Sequence, residues 1–310
     1  MQLIEFITHF PDEESCKKEM HRLREKQGIT CKKCGGQNHH WCSSIEMWQC
    51  KSCRFRTSLK SGTVLENSKL PLQTWFLCLH LMSSTKKPFS ALEVQRQLGQ
   101  KRYEPVWAMM HKIRAAMGKR DSHYQLEQSI ELDDAFFKQV LPKGDPRLEE
   151  PVKRGKGSQR QAKVMVMVES EPIESPKKGK KHRSCGYLKM QVVDDLTSDT
   201  VLKVVRENIS SQVHATTDSA PCFDRLTECI KEHTKTFERK PYKVLPWVHT
   251  AISNAKRYLL ASYHMISEKH MQKYLDEFCY KFNRRYFNEH LFDRLLVAII
   301  DNQTLLQKSR

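Results

Sequence analysis

The segment SIELDDAFF, residues 129–137, decides how the rest of the chain is interpreted. Most of its residues are apolar, which predicts a strand within a sheet, yet it contains two adjacent carboxylates, Asp133 and Asp134. Because successive side chains of a strand point to opposite faces, only one of them is expected to face a given surface. A carboxylate in a buried strand is costly unless a positive charge compensates it. The segment therefore raises the question of which cation does so.

The segments that follow predict an α/β domain. Strands are predicted over 162–170, over 187–195 and within 211–218, and helices over 200–209, over 249–262 and over about 268–285. Strands followed by a helix, a further strand and then helices are typical of this class. The two connections between the first three strands are rich in Gly, Pro and Lys, which predicts mobile loops.

A further carboxylate, Asp218, follows directly after the strand within 211–218. A divalent cation would compensate both Asp133 and Asp218, because Mg²⁺ prefers carboxylate oxygens as ligands. A pair of such ions can activate a nucleophile and stabilise a leaving oxygen in phosphoryl transfer. The alternative is that Asp133 or Asp134 begins a turn and that Asp218 caps a loop.

The helix that begins near WVHTAISNAKRYL, residues 247–259, has His249, Ser253 and Lys256 on one face. His249 is a candidate third metal ligand, although imidazole is softer than Mg²⁺ usually prefers. Lys256, two turns further along, is placed to reach a phosphate. The alternative is an ordinary solvated helix face.

Four cysteines near the N-terminus have the spacing of a zinc site. Cys31 and Cys34 form one Cys-x-x-Cys pair, Cys50 and Cys53 form another, and fifteen residues separate the pairs. This spacing matches a four-cysteine zinc ribbon, whose small core needs the metal in order to fold. We expect one structural zinc ion, with His39, His40 and Cys42 as bystanders; substitution of one of them as a ligand is an alternative. The alternative is two unrelated pairs of buried thiols.

Residues 70–118 are predicted to be helical. Pro71 begins a helix to about Met82, and two further helices flank a turn at Gly99. The second of these has a stripe predicted to be buried, formed by Val106, Met110, Ile113 and Met117. Its exposed side is expected to carry Arg102, His111, Lys112 and Arg114. The pattern predicts a DNA-binding helix-turn-helix, and a small helical bundle is the alternative.

The chain of 310 residues has a net charge of +17, which indicates a polyanionic partner. A membrane is a poor candidate, because the most apolar stretch, residues 75–82, is far shorter than the roughly 20 residues that cross a bilayer. No export signal is visible, and eleven cysteines without one favour a reducing cytoplasm over a disulfide framework. Basic loop residues are candidate phosphate contacts, although each alone is typical of a solvated loop; they are Lys153, Arg154, Lys156, Arg160, Lys177, Lys178, Lys180, Lys181 and Arg183.

Together these residues resemble the DDE transposases of bacterial insertion sequences, specifically the group with an N-terminal zinc ribbon. The likeness covers nearly the whole chain and includes CKKCGG, WQCKSC, TSLKSGTVLENSKLPLQTWF, SALEVQRQLG, ELDDAFF and TTDSAPCF. Its most specific part is HTAISNAKRYLLASYH followed by YLDEFCYKFNRR. The resemblance implies an α/β fold with an RNase H-like, mixed-sheet catalytic domain over 123–310. An N-terminal helix with the zinc ribbon over 1–62 and a small helical, helix-turn-helix-like domain over 63–122 would precede it.

The resemblance also implies a metal triad whose first two members are Asp133 and Asp218. In most relatives the third member is a glutamate, followed seven residues later by Lys or Arg. Here His249 has that position and Lys256 lies seven residues later, so an Asp-Asp-His variant is expected. Asn254 and Glu277 are the alternative third ligands. Ser219-Ala220 replaces the glycine and aromatic residue that are usual after the second aspartate, which concerns the loop more than the metal.

The implied activity is cleavage of DNA at transposon ends and strand transfer into target DNA, with two Mg²⁺ or Mn²⁺ ions. The implied partners are double-stranded DNA, both terminal inverted repeats and target, and further copies of the chain, in the bacterial cytoplasm with the nucleoid. The residues expected to bind DNA are Lys101, Arg102, Lys112, Arg114, Lys153, Arg154, Lys156, Lys256 and Arg257. The alternatives are a non-catalytic DNA-binding relative, a metal-dependent nuclease that does not join ends, and a zinc-ribbon transcription factor.

Overall fold

The computed structural model describes residues 1–153, 155–174, 182–237 and 244–301. Within these ranges the helices are α1 (Leu3–His9), α2 (Glu13–Gln27), α3 (Leu72–Ser84), α4 (Ala91–Gln97), α5 (Tyr103–Asp121), α6 (Ser198–Asn208), α7 (Pro246–Leu260), α8 (Met271–Asn283) and α9 (Leu291–Ile300). The strands are β1 (His39–Cys42), β2 (Met47–Cys50), β3 (Arg56–Ser58), β4 (Ile130–Lys138), β5 (Gln161–Pro172), β6 (Arg183–Val193), β7 (His214–Thr217) and β8 (Glu232–Lys235). The chain forms two compact units, Met1–Met117 with Tyr286–Arg310, and Gly118–Arg285.

The first unit contains a three-stranded antiparallel sheet with β2 at its centre. His39 on β1 pairs with Cys50 on β2, and Trp48 on β2 pairs with Thr57 on β3. Cys50 is therefore the last residue of the central strand, and Cys53 lies in the turn that leads to β3. This small sheet is the ribbon that the cysteine spacing predicts.

The helices of the first unit confirm the helical pattern of residues 70–118. Ser90 accepts a hydrogen bond from the backbone N–H of Glu93 at the start of α4, and Gly99 takes a positive φ of 60° in the turn before α5. The four residues of the apolar stripe on α5 are completely buried. Gly99 thus ends α4 in a conformation that other residues rarely adopt.

Helix α9 lies in the first unit and contacts α3. Phe292 on α9 packs near Phe6, Phe10 and Phe76, with ring centroids between 5.4 and 6.1 Å apart. The sequence instead groups α9 with the rest of 123–310. The apolar face of this helix, buried against α3, accounts for its position. The three-domain division stays a prediction.

The second unit is built on a five-stranded mixed sheet with the order β6-β5-β4-β7-β8. The long strand β5 is antiparallel to both β4 and β6. Strands β4, β7 and β8 are parallel, with Leu132 opposite Thr217 and Ala215 opposite His233. Three antiparallel strands followed by two parallel ones give the RNase H-like arrangement expected from the sequence.

Helices cover both faces of this sheet, and the alternation along β5 shows why. Val164, Val166 and Val168 are buried in one core with α7 and α8. Met165 and Met167 are buried in the other core with α6. A strand that is buried on both faces is apolar at nearly every position, as AKVMVMV is.

Most predicted elements of this unit are present, but β8 was missed. Its sequence, Glu232-His233-Thr234-Lys235, has no apolar residue, and it pairs with β7 alone at the edge of the sheet. An edge strand needs little apolar surface, and charged residues protect it from pairing with other chains. Helices α1 and α9 were not predicted either.

Candidate metal centres

Two carboxylates of the second unit meet where parallel strands lie side by side. Pairing of β4 with β7 ends at Leu132 and Thr217, so the residues that follow, Asp133 and Asp218, are neighbours. Oxygens of Asp133, Asp134 and Asp218 all lie within 4.8 Å of one another. Only 8% of Asp133 is exposed. Three carboxylates this close together repel one another unless a cation binds between them.

The presence of Asp134 in this carboxylate group corrects the expectation from strand alternation. We expected only one of the two adjacent aspartates to face a given surface. The backbone N–H of Asp134 donates to Oδ1 of Asp133 at 2.8 Å, and neither residue has a β7 partner beside it. Both side chains can therefore turn towards Asp218 beyond the end of β7.

His249 lies in the first turn of α7, next to Asp133. Its Nδ1 is 3.4 Å from Oδ2 of Asp133, and its Nε2 is buried without a hydrogen-bond partner. Burial lowers the pKa of His249 below its ordinary value of 6.5, and the charges of Glu131 and Asp218 offset part of this shift. The imidazole is therefore neutral near pH 7, the form that can bind a metal.

The other candidates on α7 and α8 have different surroundings. Lys256 is exposed, and its Nζ lies 5.8 Å from the ring centroid of Phe137 on β4. Asn254 is exposed. Glu277 is completely buried and accepts a hydrogen bond from the Tyr258 hydroxyl at 2.8 Å, so it belongs to the packing between the two helices.

Glu131 was missed by the sequence analysis, although it lies two residues before Asp133 on the same face of β4. It is 1% exposed, and its Oε2 accepts the backbone N–H groups of Trp247 and Val248, each at 2.8 Å. The available signal was an acidic residue at a second buried position of an otherwise apolar strand. Its contact with α7 depends on tertiary packing that the sequence does not display.

The four cysteines of the first unit form the second candidate centre. Their sulfurs lie within 4.8 Å of one another, with Cys31 3.5 Å from Cys53 and Cys34 3.6 Å from Cys50. Sulfurs that surround zinc as a tetrahedron, with Zn–S distances of about 2.3 Å, are about 3.8 Å apart. Backbone N–H groups of Cys53 and Ser52 lower the pKa of Cys50 to about 6, which favours a thiolate. The group could therefore hold zinc.

The predicted basic contacts differ in their exposure. Six are exposed as expected: Lys101, Arg102, Lys153, Arg160, Lys256 and Arg257. Lys112 is partly buried and donates to the backbone carbonyl of Glu66 at 2.9 Å. Arg154 lies outside the described residues, as do Lys177, Lys178, Lys180 and Lys181, and the side chain of Lys156 is not described.

Three expectations about exposed basic residues were wrong. Arg114 is 1% exposed and His111 is 4% exposed, because α5 is buried on more than the one face that its apolar stripe indicates. Arg183 does not lie in a loop but begins β6, where its Nε donates to the Ser170 hydroxyl at 2.7 Å. Arg114 is thus buried within the protein, and Arg183 is partly buried and hydrogen-bonded to β5.

Among the described helices, none combines the length and the apolar character that crossing a membrane requires.

Similarity to known proteins identifies the family of the second unit. Residues 125–283, more than half of the chain, match the ISXO2-like transposase domain, a DDE transposase family. The uncharacterized protein in transposable element ISH50 of Halobacterium salinarum (strain ATCC 700922 / JCM 11081 / NRC-1) is 25% identical over 171 residues. That match covers 52% of this chain and 56% of the relative, so the chain spans about half of the relative's length.

Solved structures with detected similarity include a pre-cleavage Mos1 transpososome and a Mos1 strand transfer complex. The first has 11% sequence identity and a TM-score of 0.29, and covers 72% of this chain and 76% of that chain. The second has 12% identity and a TM-score of 0.27, with the same coverage. From the family match, the chain belongs to the ISXO2-like DDE transposases of insertion sequences.

Proposed function

We propose that this transposase cuts DNA at the ends of its insertion sequence and joins the resulting 3′-hydroxyls to target DNA. The observation that carries the proposal is the carboxylate group of Asp133, Asp134 and Asp218, with His249 3.4 Å from Asp133 at its side. The family supports the same activity.

Asp133, Asp218 and His249 would hold the catalytic cations, as an Asp-Asp-His variant of the triad, with Asp134 as a further oxygen ligand. The carboxylate oxygens within 4.8 Å, the 3.4 Å separation between His249 and Asp133, and the unpartnered Nε2 of His249 fit a metal site. Two Mg²⁺ or Mn²⁺ ions bound there would activate the attacking oxygen and stabilise the leaving oxygen. The cysteine group would hold one structural zinc ion.

Both chemical steps exchange one phosphorus–oxygen bond for another. Water first attacks the phosphodiester at the transposon end, and a 3′-hydroxyl leaves. That hydroxyl then attacks a target phosphodiester in line, and the target's own 3′-hydroxyl leaves. No side chain forms a covalent bond to DNA. Lys256, exposed on the helix that carries His249, would hold a phosphate beside the reacting bond.

The basic surface would supply most of the affinity for DNA, in keeping with the net charge of +17. Among residues whose side chains the structure describes, we propose as DNA contacts Lys101, Arg102, Lys112, Lys153 and Arg257. Arg154 and Lys156 are proposed from the sequence alone.

We also propose the division into a ribbon domain over 1–62, a helical DNA-binding domain over 63–122 and a catalytic domain over 123–310. Two ends must be brought together, so a homo-oligomer would form on DNA, in the cytoplasm with the nucleoid.

The test is an assay of cutting and joining with duplexes that carry the inverted repeats flanking the gene, in Mg²⁺ or Mn²⁺. The wild-type protein is compared with Asp133→Ala and His249→Ala variants. Cutting and joining by the wild type alone would support the proposal. Cutting without joining would indicate a nuclease, and binding without cutting would indicate a non-catalytic relative. If Asp133→Ala is inactive and His249→Ala is active, the third ligand would be Asn254 or Asp134 instead of His249.

A further inference from the structure

Helix α7, which carries His249, has no capping residue of its own. It is preceded by Leu245 and begins at Pro246, and no side chain at its N-cap position accepts a backbone hydrogen bond. The N–H groups of the first turn of a helix have no partner within the helix and need acceptors from elsewhere. The start of α7 therefore depends on a residue that is remote in sequence.

That residue is Glu131 on β4. Its Oε2 accepts the N–H groups of both Trp247 and Val248 at 2.8 Å, and its carboxylate charge is favourable at the positive end of the helix dipole. Its Oε1 accepts the Ser170 hydroxyl at 2.5 Å. Glu131 is 1% exposed, so these bonds are shielded from water.

A second set of bonds ties the same turn to the neighbouring strands. Arg183 Nε donates to the Ser170 hydroxyl at 2.7 Å and lies 3.8 Å from Oε1 of Glu131. The indole Nε1 of Trp247 donates to the backbone carbonyl of Arg183 at 2.7 Å. Strands β4, β5 and β6 thus all take part in fixing the first turn of α7.

We propose that Glu131 is a positioning residue that holds His249 against the carboxylate group. Glu131 and Asp133 lie on one face of β4, about 6.6 Å apart along the strand. Glu131 on β4 holds the N–H groups of Trp247 and Val248. His249 is the next residue of that turn and therefore lies beside Asp133 on the same strand. Glu131 lies outside the carboxylate group of Asp133, Asp134 and Asp218, and its hydrogen bonds direct its oxygens to α7 and β5. This inference rests on the proposed function, in which His249 binds the metal.

The chain provides a matched control in Glu169 on β5. Glu169 is 4% exposed and also accepts two backbone N–H groups, from Glu127 at 3.0 Å and from Tyr187 at 2.8 Å. It makes neither of the bonds that fix α7. Replacing Glu131 or Glu169 therefore removes a similar buried carboxylate, but only the first change releases the turn that carries His249.

The anchor is tested first without metal, with Glu131→Gln and Glu169→Gln. Glutamine keeps an acceptor oxygen, and its amide can face the Ser170 hydroxyl, so both variants are expected to fold. A neutral acceptor is weaker than a carboxylate. Hydrogen–deuterium exchange should therefore become faster in the first turn of α7 in Glu131→Gln and stay unchanged there in Glu169→Gln. Equal exchange in wild type and Glu131→Gln would overturn the inference, whatever the protein catalyses.

The effect of Glu131 on His249 as a metal ligand is tested by pulsed electron paramagnetic resonance. Zinc-loaded protein is given Mn²⁺ without DNA. The wild type and Glu169→Ala should show coupling of Mn²⁺ to an imidazole nitrogen, and Glu131→Ala should lose it. Mn²⁺ affinity should fall ~10- to 100-fold in Glu131→Ala, as for other residues that orient a ligand, and recover in part in Glu131→Gln. Retained coupling in Glu131→Ala would overturn the inference alone. Absence of coupling in the wild type would remove His249 as a ligand and overturn this inference together with the Asp-Asp-His assignment, whereas the cutting and joining assay tests the proposed activity separately.

Discussion

At the scale of single residues, the identity of residue 249 would decide which cations the proposed site uses. Imidazole is a softer ligand than the carboxylates of Asp133 and Asp218, and Mg²⁺ binds oxygen more readily than nitrogen. His249 lies 3.4 Å from Asp133. A glutamate at this position, which is longer than an aspartate, would reach the same carboxylate group. The histidine should therefore favour Mn²⁺ over Mg²⁺ relative to an acidic residue.

Replacing His249 with Glu should preserve DNA cleavage and shift its metal preference towards Mg²⁺. Replacing it with Ala should reduce the cleavage rate by more than the ~100-fold that loss of an outer-shell partner can cost, because a direct ligand is lost. Cleavage rates of end duplexes in each metal measure both effects. Ser253 is exposed and lies one turn after His249 on α7. Ser253→Ala is therefore the control and should leave the cleavage rates unchanged. A fully active His249→Ala protein would contradict the assignment.

Lys256 should act on DNA affinity through its charge. It is exposed two turns after His249, where we propose that it holds a phosphate. Lys256→Ala should weaken binding about equally for all sequences and lower the slope of log affinity against log salt by about 1. Binding titrations at several salt concentrations measure the slope. Lys203→Ala is the control, because this exposed lysine is on α6, which packs on the opposite face of the sheet.

At the scale of elements, Asp276 on α8 makes the stability of the second unit dependent on pH. Burial raises its pKa from an ordinary 3.8 to about 7, and Asp121 adds to the shift. The native protein therefore keeps this proton up to about pH 7, whereas the unfolded chain releases it near pH 4. Because the unfolded state binds fewer protons in this window, the free energy of unfolding falls as pH rises from about 4 to about 7.

Asp276→Asn should remove this fall, so the variant should gain stability relative to wild type as pH rises through that window. The Gln272 amide, which donates to Oδ1 of Asp276 at 2.8 Å, keeps an acceptor in the variant. Asp195→Asn is a control of opposite sign, because the hydroxyls of Thr200 and Thr197 lower the pKa of Asp195 to about 2. Loss of the Asp195 carboxylate should lower the free energy of unfolding above pH 4. Urea unfolding at pH 5 and pH 8 measures the free energy of unfolding of each variant. If the difference between Asp276→Asn and wild type is the same at both pH values, the raised pKa of Asp276 is contradicted.

The ribbon should unfold when the zinc ion that we propose is removed, because three short strands bury too little surface to be stable alone. Trp48 on β2 reports this event, since it is 2% exposed and stacks on His21 with ring centroids 5.1 Å apart. A strong chelator should shift the tryptophan emission to longer wavelength, and added zinc should reverse the shift. Cys42→Ser, outside the group of four, should behave as wild type. An emission spectrum that ignores the chelator would show that the ribbon needs no metal.

The elements that the sequence predicts well are those whose pattern depends on local contacts. The strand over 162–170 is apolar at almost every position, and Asp133 and Asp218 are conspicuous because acidic residues are costly in or directly after such strands. Edge strand β8 and the anchoring role of Glu131 depend instead on partners that are distant in sequence. Arg114 was misjudged for the same reason, since a helix buried on several faces does not show this in one apolar stripe.

At the scale of the whole molecule, the family, the net charge and the carboxylate group all point to action on DNA. The chain is an ISXO2-like transposase, it has a net charge of +17, and its mixed sheet brings carboxylates of two parallel strands together. The proposed chemistry requires that this group bind cations, and we propose His249 as a further ligand. All the proposed steps of cutting and joining depend on that one centre.

The most direct test is an anomalous diffraction map, recorded at the manganese absorption edge, from crystals soaked in MnCl₂. The account predicts density in contact with side chains of Asp133, Asp218 and His249, at distances of about 2.0–2.2 Å. Crystals of Asp133→Asn, grown and soaked in the same way, should lose this density. Well-ordered carboxylates in the wild-type crystals without manganese density between them would contradict the central claim.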